Sequence, residues 1–161
     1  MRVRDRLTAA TAELMQRHGV AGTGIADILQ ASGVTRRSIY LNFPGGKSEL
    51  VAAATQSAGD EMTAMLREYL EQPQPVAAFI DMWCDALVST DFRSGCAIVA
   101  AACGRDDAPE AAVAAADVFA QWSDLLREAI TQDGIDGAVA ESLSTTVVDA
   151  VEGAIVLASA A

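Results

Sequence analysis

Apolar residues near the start of the chain recur every three or four positions, which is the spacing of one face of an α-helix. This face consists of Val3, Leu7, Ala10 and Leu14. Gly19 follows at the point where a left-handed residue would end such a helix. The pattern predicts a first helix that ends near Gly19.

Two shorter helices are predicted next, separated by the sequence ASGV. Thr23 is a candidate N-cap for the second helix, which carries Ile25, Ile28 and Leu29, and Gly33 is expected to end it. Thr35 is a candidate N-cap for the third helix, whose inward residue is Ile39. The sequence Pro-Gly-Gly at 44–46 then stops this helix.

The helical period continues through the rest of the chain, with breaks at proline and glycine. The segments predicted are a long helix from Lys47 to about Pro73, one after Pro75, a short one in SGCAIVAAACG, one from Asp107 or Pro109 to Gly134, and one from Gly137. Roughly eight helices and no convincing strand predict an all-α fold. We expect a helix-turn-helix domain in residues 1–50 and a helical-bundle domain for ligand binding and dimerisation in residues 51–161.

Charge is distributed unevenly along the 161 residues. The formal net charge of the chain is −11, whereas residues 1–50 carry a net charge of +3. A basic segment on an acidic body is typical of a module that binds a polyanion. No uninterrupted apolar run reaches the roughly 18 residues that span a bilayer, and the N-terminus lacks the apolar block of a signal peptide. We expect a cytoplasmic protein without a membrane partner.

The second and third predicted helices form a helix-turn-helix pattern, whose second helix enters the major groove by its N-terminal end. Arg36 and Arg37 lie at that end, where arginine can bridge guanine O6 and N7. Tyr40, Asn42 and Lys47 suit the flanking phosphates. The residues predicted to contact double-stranded DNA are Thr23, Gly24, Thr35, Arg36, Arg37, Ser38, Tyr40, Asn42 and Lys47.

The run TGIADILQASGVTRRSIYLNFPGGKSEL, residues 23–50, resembles the DNA-binding domain of the TetR family of bacterial transcriptional repressors. The resemblance rests on residues in the same order and spacing: Asp27-Ile28, Gly33-Val34-Thr35, Ile39-Tyr40, Phe43 and Lys47-Ser48-Glu49-Leu50. Leu29, Arg37 and Asn42 depart from the residues that the family often has there, so base readout and local packing are expected to differ. FPGGK and GCAIVAAA resemble the LmrA/YxaF-like branch.

This resemblance implies a ligand cavity in the body of the protein. Large aromatic and sulfur-containing side chains are the candidates for gripping a largely apolar effector. They are Met62, Met65, Phe79, Trp83, Phe92, Cys96 and Trp122. The same side chains at helical spacing are also compatible with an ordinary core.

The last predicted helix carries more apolar surface than a monomer of this size would cover, which indicates a helix-to-helix dimer interface. The interface residues predicted are Leu143, Val147, Val151 and Ile155. Glu152 lies within this stretch, either as an exposed edge or as a half-buried carboxylate with a partner. Because the family usually has one more helix, a truncated chain is also an expectation.

The function predicted is a ligand-responsive repressor that binds a near-palindromic operator as a dimer. An alternative is a DNA-binding regulator whose body binds a protein or senses redox state through Cys96 and Cys103, seven residues apart. An enzyme is not expected, because the one histidine, His18, lies near a helix end without a catalytic partner motif. GKS at 46–48 is not a P-loop, since Leu41 replaces its first glycine. No cofactor or metal site is expected.

Overall fold

A computed structural model of the chain describes residues 1–160, and these residues form eight α-helices and no strand. The all-α prediction is therefore confirmed. The helices are α1 (Val3–His18), α2 (Ile25–Ser32), α3 (Arg36–Asn42), α4 (Lys47–Leu70), α5 (Pro75–Ser89), α6 (Ala97–Cys103), α7 (Pro109–Gln132) and α8 (Gly137–Ser159). We call α1–α3 the head and α5–α8 the body.

Caps and glycines set the ends of the short helices in the head. Gly33 takes the left-handed conformation at the end of α2, and Gly19 has φ +67° but ψ 179°, outside the left-handed helical region. The Thr35 hydroxyl accepts a hydrogen bond from the backbone N–H of Ser38, as predicted. The prediction that Thr23 caps α2 is wrong. Gly24 occupies the N-cap, and the buried Thr23 hydroxyl donates to the Gly19 carbonyl instead.

Two separate clusters of buried apolar side chains hold the fold together. The smaller cluster lies in the head and consists of Leu7, Ile28, Ile39, Phe43 and Leu50. The larger cluster lies among α1, α4 and the body helices, and includes Met15, Leu66, Val118, Trp122 and Ile155. Both α1 and α4 contribute to both clusters. The domain boundary expected between residues 50 and 51 falls inside α4, which begins at the head and extends into the body.

Helices α4 and α7 approach closely at Gly59, which is buried against Val118. A Cβ atom added to Gly59 would overlap Cγ2 of Val118 and lie 3.1 Å from its Cγ1. Glycine lowers the stability of a helix interior by about 1 kcal/mol relative to alanine. Its presence in the middle of α4 is explained by the contact that it allows.

We therefore expect Gly59→Ala and Gly153→Ala to change stability in opposite directions. Gly59→Ala forces α4 and α7 apart, and overpacking of this kind costs about 1–3 kcal/mol, which exceeds the gain in helix propensity. Gly153 in α8 has open space around it, so alanine there should stabilise by about 1 kcal/mol. Urea unfolding of both variants measures the two effects. Equal stabilisation by both would show that Val118 moves aside freely.

Helix α8 leaves most of its surface uncovered. Its exposed large apolar residues are Val139, Leu143, Val156 and Leu157. Among the helices of residues 1–160, α8 is the one whose length and composition would allow it to cross a membrane. Its apolar residues are interrupted by Asp149 and Glu152, which is why the sequence showed no uninterrupted apolar run.

Candidate nucleic-acid interface and ligand cavity

Helix α3 is fixed by its apolar side and presents its basic side to solvent. Ile39 on α3 and Phe43 just after it are fully buried in the head, whereas Arg36 and Arg37 are exposed in the first turn. The free backbone N–H groups of a helix N-terminus favour phosphate, and the two guanidinium groups extend from the same end. This is the arrangement that a recognition helix needs at the major groove.

Five of the seven basic side chains in residues 1–50 are engaged within the chain. Two of them form exposed helix pairs, Arg2 with Asp5 and Arg17 with Glu13. The other three donate hydrogen bonds to backbone carbonyls: Arg4 to Asn42 at 2.9 Å, Arg6 to Ser32 at 2.6 Å, and Lys47 to Val20 at 3.1 Å. The Arg4 guanidinium also lies over the Phe43 ring, 4.3 Å from its centroid.

Arg36 and Arg37 are the exceptions, because neither side chain has a hydrogen bond or ion pair to any residue within 1–160. Arg4 and Arg6 hold the ends of α3 and α2 in place, a role that the charge count did not reveal. Some basic side chains of the head therefore stabilise the helix-turn-helix, and one pair of arginines remains available for a ligand.

The other residues predicted to contact DNA divide by exposure. Thr35 and Tyr40 are exposed, and Ser38 and Gly24 are half-buried. Thr23, also predicted to contact DNA, is fully buried, and its hydroxyl donates to the Gly19 carbonyl. The Asn42 amide donates to the Ser38 carbonyl.

Lys47 takes a different position from the one expected. It was predicted to contact phosphate, and in the structure its ammonium group donates to the Val20 carbonyl near the start of the α1–α2 loop. A salt-dependent phosphate contact would require that hydrogen bond to break. Leu41, an apolar side chain 69 % exposed on α3, was not predicted as a site residue. Such a side chain suits the methyl group of thymine.

A small apolar cavity of about 80 Å³ lies between α4, α5, α7 and α8. Four of the predicted ligand-binding residues line it: Met62, Phe79, Trp83 and Trp122. Two others, Met65 and Cys96, line a neighbouring pocket that shares Met62, Trp83 and Trp122. Phe92 lies elsewhere, in the loop after α5 and 43 % exposed, because the chain turns outward there with positive φ at 91 and 92.

The residues predicted for the dimer interface do not share one surface. Val147 and Val151 line the cavity, and Ile155 is buried in the core of its own chain. Leu143 is the one of the four that is exposed on the outside. The predicted stripe is divided because α8 has apolar residues on more than one face, and the face with Ile155 packs inward.

Two buried polar atoms on the side chains of cavity residues have no hydrogen-bond partner within residues 1–160: Nε1 of Trp83 and Oε2 of Glu152. By contrast, Nε1 of Trp122 donates to the Thr63 hydroxyl at 2.9 Å. Burial raises the pKa of Glu152 to about 7, and the neighbouring Cys96 thiol partly counters that rise. Buried polar groups are normally paired, so these two atoms are exceptions, and both lie inside the cavity wall and not on its accessible surface.

The cysteines do not form a redox pair in this conformation. Cys96 precedes α6 and is buried, whereas Cys103 ends α6 and is exposed. The helical rise over seven residues separates their Cα atoms by about 10 Å, beyond the roughly 7 Å that a disulfide tolerates. Burial, together with the Glu152 carboxyl, raises the pKa of the Cys96 thiol. A thiol of this kind is unreactive, which removes the support for redox sensing through Cys96 and Cys103.

The head, α4 and the body are joined at four points, which we call the junction. Lys47 binds the Val20 carbonyl, and the Ser48 hydroxyl donates to the Glu110 carboxylate on α7. The Gly95 N–H donates to the Gln16 carbonyl at 3.0 Å. Gly104 lies so close to Val20 that an added Cβ would be 2.6 Å from the valine side chain. A movement at the end of α6 therefore reaches the head directly through Gly104 and Val20, whereas a movement of α7 reaches it through α4.

Relatives of the chain match both parts of this architecture. The family profile described as "Bacterial regulatory proteins, tetR family" matches residues 7–54, and the profile described as "Transcriptional regulator LmrA/YxaF-like, C-terminal domain" matches residues 73–161. An uncharacterized HTH-type transcriptional regulator of Mycobacterium tuberculosis H37Rv is 39 % identical over 96 % of this chain and 83 % of its own length.

Two further similarities agree with these matches. The HTH-type transcriptional regulator LmrA of Bacillus subtilis is 26 % identical over 96 % of this chain and 85 % of its own length. The crystal structure of a TetR transcriptional regulator from Legionella pneumophila matches 99 % of this chain and 88 % of its own with a TM-score of 0.86 at 22 % identity, which shows a shared fold. These relatives are transcriptional regulators and not enzymes. The chain belongs to the TetR family of bacterial transcriptional regulators, with a helix-turn-helix head and an LmrA/YxaF-like body.

Proposed function

We propose that this regulator is a cytoplasmic, homodimeric repressor that binds a near-palindromic DNA operator and is released from it by a small, largely apolar effector. The observation that carries the proposal is the pair of unpaired arginines at the N-terminus of α3, on a head whose other basic side chains are engaged internally. Guanidinium groups held in this way are free to bridge guanine edges.

The exposed apolar face of α8 supports the dimer. Val139, Leu143, Val156 and Leu157 are large, exposed and on one long helix, and a second copy of the chain would cover them symmetrically. These residues replace Val147, Val151 and Ile155 as the proposed interface, with Leu143 retained. Two-fold symmetry of the protein then requires a nearly two-fold symmetric operator.

The course of α4 supports effector control. This helix begins at the junction with Lys47 and Ser48, and its second half lines the cavity with Met62, Leu66 and Tyr69. An effector that wedges α4 away from α5 or α8 would shift the head through the same helix. Release from DNA requires that the effector bind the DNA-incompetent state more tightly, by about 1–3 kcal/mol in typical couplings.

Selection of bound sequences from a random DNA pool, at a stated salt concentration near physiological, tests the DNA step. We expect a near-palindromic consensus with two half-sites about one helical turn apart or somewhat more. A consensus with one half-site would contradict the dimer. A pool without sequence preference would contradict specific repression, and would mean that the head binds phosphate alone.

The selected operator then serves as the probe for the effector. Compounds that fit an apolar cavity are added to the protein–operator complex, and release is followed by fluorescence anisotropy. Effectors should also change the fluorescence of Trp83 and Trp122, the two tryptophans of the chain, because both line the cavity. Compounds that bind the cavity without changing operator affinity would contradict effector control.

A further inference from the structure

The seven-residue helix α3 has few apolar contacts that could fix its direction. Ile39 is its one buried residue, and the buried Phe43 follows directly after its last turn. A binding element has to be held within roughly 0.5 Å and 10–20° of its productive geometry to place its side chains correctly. Two apolar anchors on one side of a short helix leave rotation about the line between them open. Other contacts must therefore set the angle of α3.

Arg4, in the first turn of α1, contacts the C-terminal end of α3. Its guanidinium group donates to the Asn42 carbonyl at 2.9 Å and lies over the Phe43 ring, 4.3 Å from the ring centroid. The Asn42 amide donates in turn to the Ser38 carbonyl one turn earlier. Helix α1 is itself anchored in the head by the fully buried Leu7. Arg4 thus ties the last turn of α3 to a firmly packed helix.

Arg6 makes the corresponding contact at the turn between α2 and α3. Its guanidinium group donates to the Ser32 carbonyl at 2.6 Å and to the Gly33 carbonyl at 3.3 Å. These carbonyls lie at the C-terminal end of α2, where the helix dipole favours a cation. A Cβ atom added to Gly33 would lie 3.0 Å from Nη2 of Arg6, so glycine at this position also leaves space for the arginine.

We propose that Arg4 and Arg6 are positioning residues for operator recognition, which set the angle of α3 in the major groove without contacting DNA themselves. Their charge alone would favour phosphate contacts, but their hydrogen bonds go to backbone carbonyls at the two ends of the helix-turn-helix. This inference rests on the proposed function, because it assigns further residues to the same operator contact.

The strength of these contacts limits the expected effect. Losing one of them lowers the fraction of molecules in which α3 is aligned, and the apparent affinity for the operator falls by that fraction. A hydrogen bond from a charged donor corresponds to about a tenfold change in such an equilibrium. We therefore expect Arg4→Ala and Arg6→Ala each to weaken operator binding by roughly three- to tenfold.

The salt dependence of binding separates positioning from phosphate contact. Operator affinity of the full chain is measured by fluorescence anisotropy between roughly 50 and 200 mM NaCl. A positioning residue releases no counterion from DNA, so both variants should keep the wild-type slope of log K against log salt. An arginine that neutralises a phosphate would lower that slope by about one and weaken binding to random DNA equally. A slope lowered by one in both variants would overturn the proposal.

Arg2→Ala is the matched control. It removes one positive charge two residues before Arg4, but Arg2 pairs with Asp5 on the surface and forms no hydrogen bond or ion pair with α2 or α3 within residues 1–160. It should weaken operator binding by less than about twofold. Equal losses in Arg2→Ala and Arg4→Ala would mean that charge near the N-terminus, and not the angle of α3, determines the affinity, which overturns the proposal.

A lysine variant and a stability measurement test two further explanations. Arg4→Lys keeps the charge but cannot both donate to Asn42 and lie flat on the Phe43 ring, so it should recover only part of the loss. Full recovery would indicate a phosphate contact and contradict positioning. Urea unfolding of each variant tests a purely structural role. A lower unfolding midpoint with unchanged operator affinity would overturn the proposal.

Amide hydrogen exchange of the DNA-free protein adds a result that needs no operator. The amides of α3 should exchange faster in Arg4→Ala than in the wild type, and at the wild-type rate in Arg2→Ala. Unchanged exchange in Arg4→Ala would contradict the positioning role. Because Arg4 is exposed, Arg4→Ala is the variant that decides if Arg6→Ala does not fold. A missing operator consensus for the wild type would contradict the proposed repressor alone, so the two failures are distinguishable.

Discussion

Replacing Arg36 and Arg37 together by alanine is expected to lower the affinity for the selected operator by about 2–6 kcal/mol, since each well-placed arginine–guanine pair discriminates by about 1–3 kcal/mol. Affinity for random DNA should fall much less, so the specificity ratio decreases. The cause is structural, because these two guanidinium groups have no partner in the described residues and their loss disturbs no internal contact. Titration of both DNAs at fixed salt measures the ratio.

Arg17→Ala is the matched control for this prediction. It removes one positive charge from the head, half of what the double variant removes, and Arg17 lies in the last turn of α1 where it pairs with Glu13 on the surface. Its effect on operator affinity should be below about 1 kcal/mol, the range of an exposed ion pair. Equal losses on operator and random DNA for Arg36→Ala/Arg37→Ala would show that the pair contacts phosphate and does not read bases.

Glu152→Gln is expected to stabilise the unliganded protein by about 3 kcal/mol above pH 8 and to have little effect below about pH 4.5. Below its ordinary pKa of 4.5 the carboxyl is protonated in both the folded and the unfolded chain. Between 4.5 and about 7 the unfolded chain releases the proton while the folded chain keeps it, so wild-type stability falls as pH rises. Above pH 7 the full cost of the buried charge remains.

Urea unfolding of the wild type and Glu152→Gln across pH 4 to 9 measures this difference. Other titrating groups contribute equally to both proteins, so the difference isolates Glu152. A constant offset at every pH would mean that the substitution acts through packing and not through the charge. A protein that retains a costly buried carboxylate is one in which function, and not stability, explains the residue.

The helices and the recognition end of α3 were predictable from the sequence because they depend on local signals. Glycine at 33, threonine at 35 and the apolar period around Ile39 act within a few residues, and the structure follows them. The prediction that Thr23 caps α2 was wrong because its buried hydroxyl donates to the nearby Gly19 carbonyl instead. Gly24 then became the N-cap.

The roles that depend on distant partners were not predictable. The positive charge of Lys47 is evident from the sequence, but the carbonyl that accepts its hydrogen bond is 27 positions away at Val20. The helical period of α8 identifies its apolar faces but does not show what covers each of them. Ile155 was therefore predicted to lie in a dimer interface, although residues of its own chain bury it. Glu152 could be noticed in the sequence, yet its missing partner is visible only in three dimensions.

The junction has a consequence for the evolution and engineering of such regulators. Val20 in the head and Gly104 in the body fit each other with no space for an added methyl group, and Lys47 closes the same contact from α4. The head and the body therefore cannot be exchanged independently between regulators. In a chimera that joins this head to the body of another regulator, Val20 would clash with any residue larger than glycine at the position of Gly104. A new combination of operator and inducer specificity therefore requires that the residues of the junction be kept.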